Sequence, residues 1–230
     1  MRFTESGHSC IRLDTGRGVI VVDPGVFSDP AALDGADAVF ITHEHPDHCD
    51  ADAVRALRRA RPDVPVYGPA AIASALGDLS FTAVNAGDAI PAAGTEVKVF
   101  GERHAVIHPD LPLVQNVAFF VDGLYHPGDS LTVPDQPVRT LLVPVAAPWL
   151  KLAEAIDFAR GIDAPAVHPV HDAVLSDIGR ALPGRLFPLL VGDAHRRIEN
   201  GDTATVLAPF RDCPGATWRC PELSAKSGIK

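Results

Sequence analysis

The feature that most constrains the fold of this chain is a run of seven residues, Thr-His-Glu-His-Pro-Asp-His, at positions 42–48. The run follows the apolar segment Val39–Ile41 and precedes a segment with helical spacing that Asp50 or Asp52 is expected to cap. It therefore predicts a loop at the carboxyl end of a buried strand, which is where α/β proteins place their functional sites.

Three imidazoles and one carboxylate stand within this loop, at His43, His45, Asp47 and His48. The rings of His43 and His45 point to the same side if the chain is extended, because side chains alternate along a strand. Imidazole and carboxylate groups together are ligands for zinc, manganese or iron. A solvated polar loop is the alternative, but histidine is rare and a chance cluster of three is rarer, so the loop favours a metal site.

The rest of the chain alternates short β-rich segments with helical ones, which is typical of a layered α/β fold with sheet in the middle. The predicted strands are Ser9–Leu13, Val19–Asp23, Val39–Thr42, Val64–Tyr67, Phe81–Val84, Glu96–Phe100, Val117–Val121, Leu124–His126, Arg139–Val145 and Ala166–Val170. The predicted helices run from Asp50 or Asp52 to Ala60 and over Pro69–Leu76, Pro148–Arg160 and Asp172–Leu182. We expect a single domain over residues 1–230, with a polar tail from about residue 217.

Composition argues against several classes of function. A net charge of −9 and a pI of about 5.5 give no support for a nucleic-acid partner. The most apolar stretch, Leu141–Leu150, is interrupted by two prolines and is too short to cross a bilayer. The first residues lack the apolar core of a secretory signal, so we expect a cytoplasmic protein with reduced thiols. A Cys213–Cys220 pair is the less favoured alternative.

The loop carries the pattern His-x-His-x-Asp-His, and further elements recur after it in a recognisable order. Before it stands Val21–Gly25, which ends in Asp-Pro-Gly, and after it come His104, the Gly-Asp pair that ends at Asp129, and His171 in Pro-Val-His. In these features the chain resembles the metallo-β-lactamase superfamily over most of its length. The Gly-His-Ser at residues 7–9 and the late Pro-Val-His are most similar to the small UlaG-like, ascorbate-phosphate-lactonase-like hydrolases.

This resemblance implies an αββα sandwich with a site at the edge where the two sheets meet. It also implies two divalent metal ions, of which zinc is favoured and manganese or iron are alternatives. One ion would be held by His43, His45 and His104, the other by Asp47, His48 and His171, and Asp129 would bridge them. Such a pair of cations lowers the pKa of a bridging water, and the hydroxide then attacks the substrate while Asp47 orients it as the catalytic residue.

Each of the later residues has a second interpretation. His104 also fits an exposed loop, Asp129 an ordinary aspartate turn, and His168 competes with His171 as the last ligand. The end of a strand is better exposed to a site, so His171 is preferred. Asp23 is expected to hydrogen-bond to the histidine loop and to orient its rings.

His8 and His108 are candidate substrate contacts, although ordinary half-buried histidines fit both positions equally well. Arg103 and Lys151 are candidates for a phosphate contact, with exposed surface side chains as the default interpretation. His126 is expected to be structural.

Metal-assisted hydrolysis is the simplest chemistry for this chain, because it has no Gly-x-Ser-x-Gly turn and no glycine-rich phosphate loop. We expect cleavage of an ester, lactone or phosphodiester bond in a small-molecule substrate. The family resemblance is compatible with a homo-oligomer, and it argues against diiron oxygen chemistry because no flavin domain is appended and because such sites favour a carboxylate at position 45. The alternative is a protein that keeps the fold and binds metal without turnover.

Overall fold

The computed structural model describes residues 1–208. Residues 209–230, which include Cys213, Cys220 and the expected polar tail, lie outside the described residues. No helix in the part of the chain that the structure describes is long and apolar enough to cross a membrane.

Seven strands form the first sheet, in the order β13-β1-β2-β3-β4-β5-β6. These strands are β1 (Arg2–Glu5), β2 (Ile11–Asp14), β3 (Val19–Val22), β4 (Ala38–Phe40), β5 (Val66–Gly68), β6 (Thr82–Ala83) and β13 (Thr203–Thr205). Neighbours from β3 to β6 run parallel, whereas β1 pairs antiparallel with both β2 and β13. The loops after β3 and β4 therefore leave the sheet at the same edge.

Six strands form the second sheet, in the order β12-β11-β10-β9-β8-β7. They are β7 (Ala89–Ala92), β8 (Thr95–Phe100), β9 (Ala118–Val121), β10 (Leu124–His126), β11 (Thr140–Pro144) and β12 (Ala166–Val170). The last three are parallel to one another, and the others pair antiparallel. The loops that follow β10, β11 and β12 thus also share one edge.

The main core lies between the two sheets. Phe40 of the first sheet meets Phe119 of the second edge-to-face, with ring centroids 5.2 Å apart. Alternation along each strand sends neighbouring residues to opposite faces, so Leu142 enters this core while Leu141 and Val143 face outward to a different one. Burial of each such side chain contributes about 1.5–3 kcal/mol, so the contact between the sheets stabilises the fold.

Helices cover both outer faces of the pair of sheets. Four α-helices are described, namely α1 (Ala51–Ala60), α2 (Ala73–Leu76), α3 (Leu152–Ile162) and α4 (Asp177–Leu190), with short 3-10 turns at Pro30–Leu33, Ala70–Ile72 and Gly192–Ala194. Val54 of α1 packs against the outer face of the first sheet, and Phe158 of α3 and Phe187 of α4 pack against the second. The layers are helix, sheet, sheet and helix, as the αββα expectation required.

Two helix predictions were wrong in their bounds. The third helix begins at Leu152 and not at Pro148, because the Glu154 carboxylate accepts the backbone N–H of Lys151 and caps the helix there. The fourth begins at Asp177, where Ser176 caps it, and continues through Pro183 and Pro188. A proline ring crowds the carbonyl of the residue four positions earlier, and for both prolines that residue is a glycine.

Three strands had no clear sequence signal. β7 contains a proline and lies at the edge of its sheet, which is where proline is tolerated. β13 is short and polar and forms one edge of the first sheet, where its partner is β1. Such strands depend on a neighbour for their hydrogen bonds, so their own side chains predict them poorly.

Candidate metal centre

The histidine loop lies where the sequence places it, between β4 and α1. The Asp50 carboxylate caps α1 by accepting the N–H groups of Asp52 and Ala53, each at 3.0 Å. At the other end of the loop, the Thr42 N–H donates to one oxygen of Asp23 at 2.7 Å, and the Thr42 hydroxyl donates to the other at 2.7 Å. The loop is therefore fixed at both ends before its histidines are considered.

Gly25 lets the backbone after β3 approach the histidine loop closely. A Cβ added at this glycine would lie 1.8 Å from the Asp47 carbonyl oxygen and 2.6 Å from the backbone nitrogen of His48. Both neighbours are backbone atoms, which cannot rotate away. The Asp-Pro-Gly sequence thus supplies the carboxylate that holds the loop and the space in which the loop sits.

All seven proposed ligand side chains lie together. Their ligand atoms form three overlapping groups, each within 4.8 Å, and these are His43 with His45 and His104, His43 with His48 and Asp129, and His8 with Asp47, His48 and His171. They come from loops that follow β4, β8, β10 and β12. The site therefore draws on both sheets at the edge where they meet.

In the first group, hydrogen bonds select the tautomers of two rings. His104 Nδ1 lies 2.6 Å from the Ala105 carbonyl oxygen, so this nitrogen carries the proton and Nε2 keeps its lone pair. The Thr42 hydroxyl already donates to Asp23, so it accepts from His43 Nδ1 at 3.0 Å. His43 Nε2 is then also free and lies 3.1 Å from His45 Nδ1.

The group that contains Asp47, His48 and His171 has the same arrangement. His48 Nδ1 donates to Asp23 at 2.7 Å, and His171 Nδ1 donates to the Ala146 carbonyl at 2.6 Å. The two Nε2 atoms face each other at 3.2 Å. Two lone pairs at this distance repel unless a proton or a cation lies between them.

Asp129 connects the two groups. Its Oδ1 lies 3.2 Å from His48 Nε2 and 3.1 Å from His171 Nε2, whereas its Oδ2 lies 3.4 Å from His104 Nε2. Each carboxylate oxygen therefore faces one group, which is the arrangement that a bridging ligand requires. The His104 Nε2 and Asp129 Oδ1 atoms are buried and have no hydrogen-bond partner. Buried polar atoms without partners are costly, so the chemistry of this donor set fits bound divalent cations.

Two residues that hold Asp129 were not predicted from the sequence. The Trp149 indole N–H donates to Asp129 Oδ2 at 2.9 Å, and the Asn116 side-chain oxygen accepts the Asp129 backbone N–H at 2.9 Å. Asn116 in turn donates to the Pro127 carbonyl at 3.0 Å. Neither residue belongs to a motif: Asn116 precedes a predicted strand, and Trp149 stands inside the predicted helix Pro148–Arg160.

His8 lies against Asp47 and is buried. Its Nδ1 accepts the Ala173 backbone N–H at 3.3 Å, which leaves the proton on Nε2, and Nε2 then donates to Asp47 Oδ2 at 3.2 Å. The His8 carbonyl also accepts the backbone N–H of His171 at 2.8 Å. The geometry favours a positioning role for His8, and the substrate contact expected from the sequence stays a prediction.

Backbone strain is concentrated at this site. His8, Asp23 and His171 adopt positive φ angles of 55°, 51° and 63°. A left-handed backbone costs roughly 1–2 kcal/mol for a residue other than glycine. The hydrogen bonds of these three residues offset that cost, and strain of this kind is typical of functional sites.

Electrostatics separate the roles of the site residues. Burial and the neighbouring His48 hold the pKa of His43 well below its usual value, so this ring is neutral and has a lone pair available for a metal ion. Burial opposes the ionised form of Asp129, but the neighbouring His48, together with His104 and His171, brings its pKa well below the usual range. For Asp47, burial raises the pKa, but the hydrogen bond from His8 and the charges of His48 and His171 outweigh it and lower the pKa to about 2.

Of the other histidines considered as site residues, His168 and His126 lie outside the cluster, and His108 lines a cavity beside it. His168 lies in the core, with its ring 5.0 Å from that of Phe3, so His171 and not His168 joins the cluster. His126 is buried and holds the Ser9 carbonyl and the Gly128 N–H, which confirms its structural role. His108 is exposed and lines a cavity beside His45 and His104, so its substrate contact stays a prediction.

The two candidate phosphate contacts lie away from the cluster. Arg103 is exposed and lines a neighbouring cavity that none of the cluster histidines lines. Lys151 lies 3.4 Å from Glu154 and is exposed on the first turn of α3. Neither side chain supports recognition of a phosphate at this site.

Residues 2–171 match the family model of the beta-lactamase superfamily domain. The chain belongs to the metallo-β-lactamase superfamily. The match covers all seven proposed ligands and ends at the last of them, His171. The UlaG-like subgroup stays a prediction.

Other proteins are similar to this chain in sequence or in structure. Protein Rv0786c of Mycobacterium tuberculosis is 36% identical over 201 residues, which are 84% of this chain and 94% of that protein. Igni18, a metallo hydrolase of Ignicoccus hospitalis, has a TM-score of 0.66 at 21% identity and covers 88% of this chain and 97% of its own. CmlA, a diiron beta-hydroxylase of Streptomyces venezuelae, has a TM-score of 0.66 at 16% identity, over 88% of this chain and 53% of its own. The likeness to these structures shows the fold, and different chemistries use it, so the function of this chain must be argued from its site.

Proposed function

We propose that this chain is a hydrolase that depends on two divalent metal ions, favours zinc over manganese or iron, and cleaves an ester, lactone or phosphodiester bond in a small molecule. The observation that carries the proposal is the position of Asp129. One carboxylate oxygen faces His48 and His171, and the other faces His104. A single carboxylate between two groups of unprotonated Nε2 atoms is what a pair of cations would need.

In the proposed assignment, each group of ligands holds one ion. His43, His45 and His104 would hold the first, Asp47, His48 and His171 the second, and Asp129 would be shared. When bound, the two ions would supply a water of lowered pKa and would stabilise negative charge on the bond being cleaved.

Asp47 is the proposed catalytic residue. It is only half-buried, with its side chain 26% exposed, whereas the Asp129 side chain is 5% exposed. Its Oδ2 is held by His8, so the carboxylate has a fixed orientation from which it would hold a water and accept its proton. Its low pKa keeps it ionised across the physiological range.

The direct test measures metal content and turnover together. We expect about two metal ions per chain by mass spectrometry, and EDTA-sensitive hydrolysis of at least one of a panel that contains 4-nitrophenyl esters, lactones and bis(4-nitrophenyl) phosphate, with zinc and manganese in parallel. Two bound ions without any turnover would favour the metal-binding protein instead. A chain that binds no metal would contradict the whole proposal.

Asp129→Ala separates the bridging role from a simple change of charge. We expect turnover to fall by at least about a thousandfold, a loss of roughly 4 kcal/mol of transition-state stabilisation, and metal content to drop. Asp157→Ala, which removes an exposed carboxylate from α3, is the matched control and should leave both unchanged. Wild-type turnover in Asp129→Ala would remove this residue from the site.

A further inference from the structure

A cavity of about 320 Å³ opens beside the first group of ligands. His45 and His104 line its inner end, and the segment over residues 105–114 forms the rest. The cavity is at the small end of the range for ligand-binding clefts and is continuous with the proposed metal site. The residues that line it should therefore contact the part of the substrate next to the bond that is cleaved.

The segment that forms this cavity is unusually apolar for an exposed loop. Val106, Ile107, Leu111 and Leu113 are 60%, 37%, 54% and 49% exposed. Water contact with such side chains is unfavourable by roughly 25 cal/mol per Å² of apolar surface. A concentration of them beside polar ligand atoms is characteristic of a binding site and not of an ordinary loop.

Away from the two ligand histidines, the described residues that line the cavity offer an anion no cationic side chain. Among the residues that the structure describes, no lysine or arginine lines it, and its ionisable side chains are histidines. At the rim, Asp110 lies 3.7 Å from His108 and is almost fully exposed. An anionic group at the end of a substrate chain that lies in this cavity, away from the proposed metal ions, would meet this negative charge with no arginine or lysine in the lining to pair with, which costs binding free energy.

We propose that this cavity holds an uncharged aliphatic acyl chain, so that the preferred substrates are neutral esters or lactones with an apolar acyl group. This proposal rests on the proposed hydrolytic function and narrows it: substrates whose chain carries a terminal anionic group, phosphorylated metabolites among them, should be poor substrates. Hydrolysis forms a bond from the water oxygen to the acyl carbon and breaks the acyl C–O bond, which yields a carboxylate, a proton and an alcohol.

The test uses a matched pair of esters on the metal-loaded protein. The neutral 4-nitrophenyl hexanoate and the mono-4-nitrophenyl ester of adipic acid share a leaving group and a chain length, and differ in a terminal carboxylate. We expect kcat/KM to be at least tenfold higher for the hexanoate, and to rise roughly threefold per methylene from acetate to hexanoate. Equal or better cleavage of the adipate ester, or of bis(4-nitrophenyl) phosphate, would overturn the proposal.

Variants of Leu111 test whether this substrate preference arises in the cavity. Leu111→Ser should lower the ratio of hexanoate to adipate cleavage by about fivefold, and Leu111→Lys should bring it near or below one, because the new cation pairs with the terminal carboxylate. Leu182→Ser is the control: Leu182 lies on α4, is not among the residues that line this cavity, and is 52% exposed against 54% for Leu111. An unchanged ratio in both Leu111 variants would contradict the assignment of the cavity.

A binding measurement separates failure of this proposal from failure of the hydrolytic one. Heptan-2-one and 6-oxoheptanoate resemble the two acyl chains and cannot be hydrolysed, and calorimetry gives their affinities for the wild type and for Leu111→Ser. Tighter binding of heptan-2-one that Leu111→Ser weakens would support the cavity assignment even if no ester were cleaved. Preference for 6-oxoheptanoate, or no effect of Leu111→Ser, would reject it even in an active hydrolase.

Discussion

At the scale of single residues, most of the site is determined by which ring nitrogen carries the proton. Asp23 accepts from Thr42 and His48, and the carbonyls of Ala105 and Ala146 accept from His104 and His171. Each of the three histidine bonds occupies Nδ1 and turns Nε2 towards the cluster. Metal affinity in such sites commonly falls 10–100-fold when a partner of this kind is removed.

Trp149→Phe tests the hydrogen bond that Asp129 receives from the indole. We expect metal affinity to fall about tenfold, because Asp129 loses the donor that orients Oδ2. The phenyl ring keeps an aromatic contact near His104, so the Tm of the metal-free protein should change little. Competition with a chelator gives the affinity. Tyr67→Phe removes a polar aromatic group outside the cluster and should have no effect, and equal affinities in all three proteins would contradict the role of Trp149.

Glu5→Gln tests a pH dependence of stability. Burial, together with the charges of Asp172 and Glu199, raises the pKa of Glu5 to about 8. The unfolded chain releases this proton near pH 4.3, whereas the folded chain keeps it to about pH 8, so the stabilisation is complete at low pH and is lost as the pH rises through this window.

Between pH 5.5 and 7.5, the wild type should lose up to about 2.7 kcal/mol more unfolding free energy than Glu5→Gln, since each pH unit is worth at most about 1.36 kcal/mol. Urea unfolding with EDTA present measures this difference without a contribution from metal binding. Parallel pH profiles of the two proteins would show that Glu5 ionises normally.

At the scale of elements, the site depends on how strands and helices end. β3, β4, β10 and β12 are each followed directly by a residue or loop of the cluster, so the sheet edge places the ligands before any side chain is oriented. The late start of α3 at Leu152 matters for the same reason. It leaves Trp149 in the preceding loop, from which its indole reaches Asp129.

Gly25→Ala tests the packing of two of these loops. The new methyl group would collide with the backbone of Asp47 and His48, so the histidine loop must move. We expect a loss of roughly 1–3 kcal/mol of stability, as in overpacked cores, together with weaker metal binding. Gly184→Ala is the control, since its methyl group meets only an arginine side-chain atom at 3.5 Å and helix propensity favours alanine. Thermal unfolding and metal titration would decide, and a normal Gly25→Ala protein would contradict the close approach.

At the scale of the whole molecule, bound metal would connect the two sheets. His43, His45 and His48 follow a strand of the first sheet, whereas His104, Asp129 and His171 follow strands of the second. Ions held between them would oppose separation of the sheets, because the unfolded chain lacks the assembled ligand set.

Metal removal should therefore lower the Tm. At a free metal concentration of 1,000 times the Kd, binding adds about 4 kcal/mol to the stability. His104→Asn should lose most of the zinc-dependent shift in Tm, whereas His195→Asn, at a half-buried histidine outside the cluster, should keep it. Scanning calorimetry with zinc or EDTA measures both shifts, and a shift that His104→Asn retains would contradict the ligand assignment.

The sequence by itself predicted the layered α/β fold, most strand positions and the residues that converge as candidate ligands. These follow from local properties, since alternation of apolar residues reports burial, and histidine and aspartate in a fixed order report a metal site. Strand bounds were accurate where the core decides them, as at Ala166–Val170, whereas the edge strand Thr203–Thr205, which depends on its neighbour, was not predicted.

Only the tertiary structure decided which residues support the ligands and what lies beside them. Asn116 and Trp149 reach Asp129 from different loops, and His8 reaches Asp47 across 39 positions of sequence. The apolar cavity beside His104 likewise depends on how one loop folds over the sheet edge. These contacts join residues that are distant in the chain, so their energies arise only when the two sheets pack together and no local pattern encodes them.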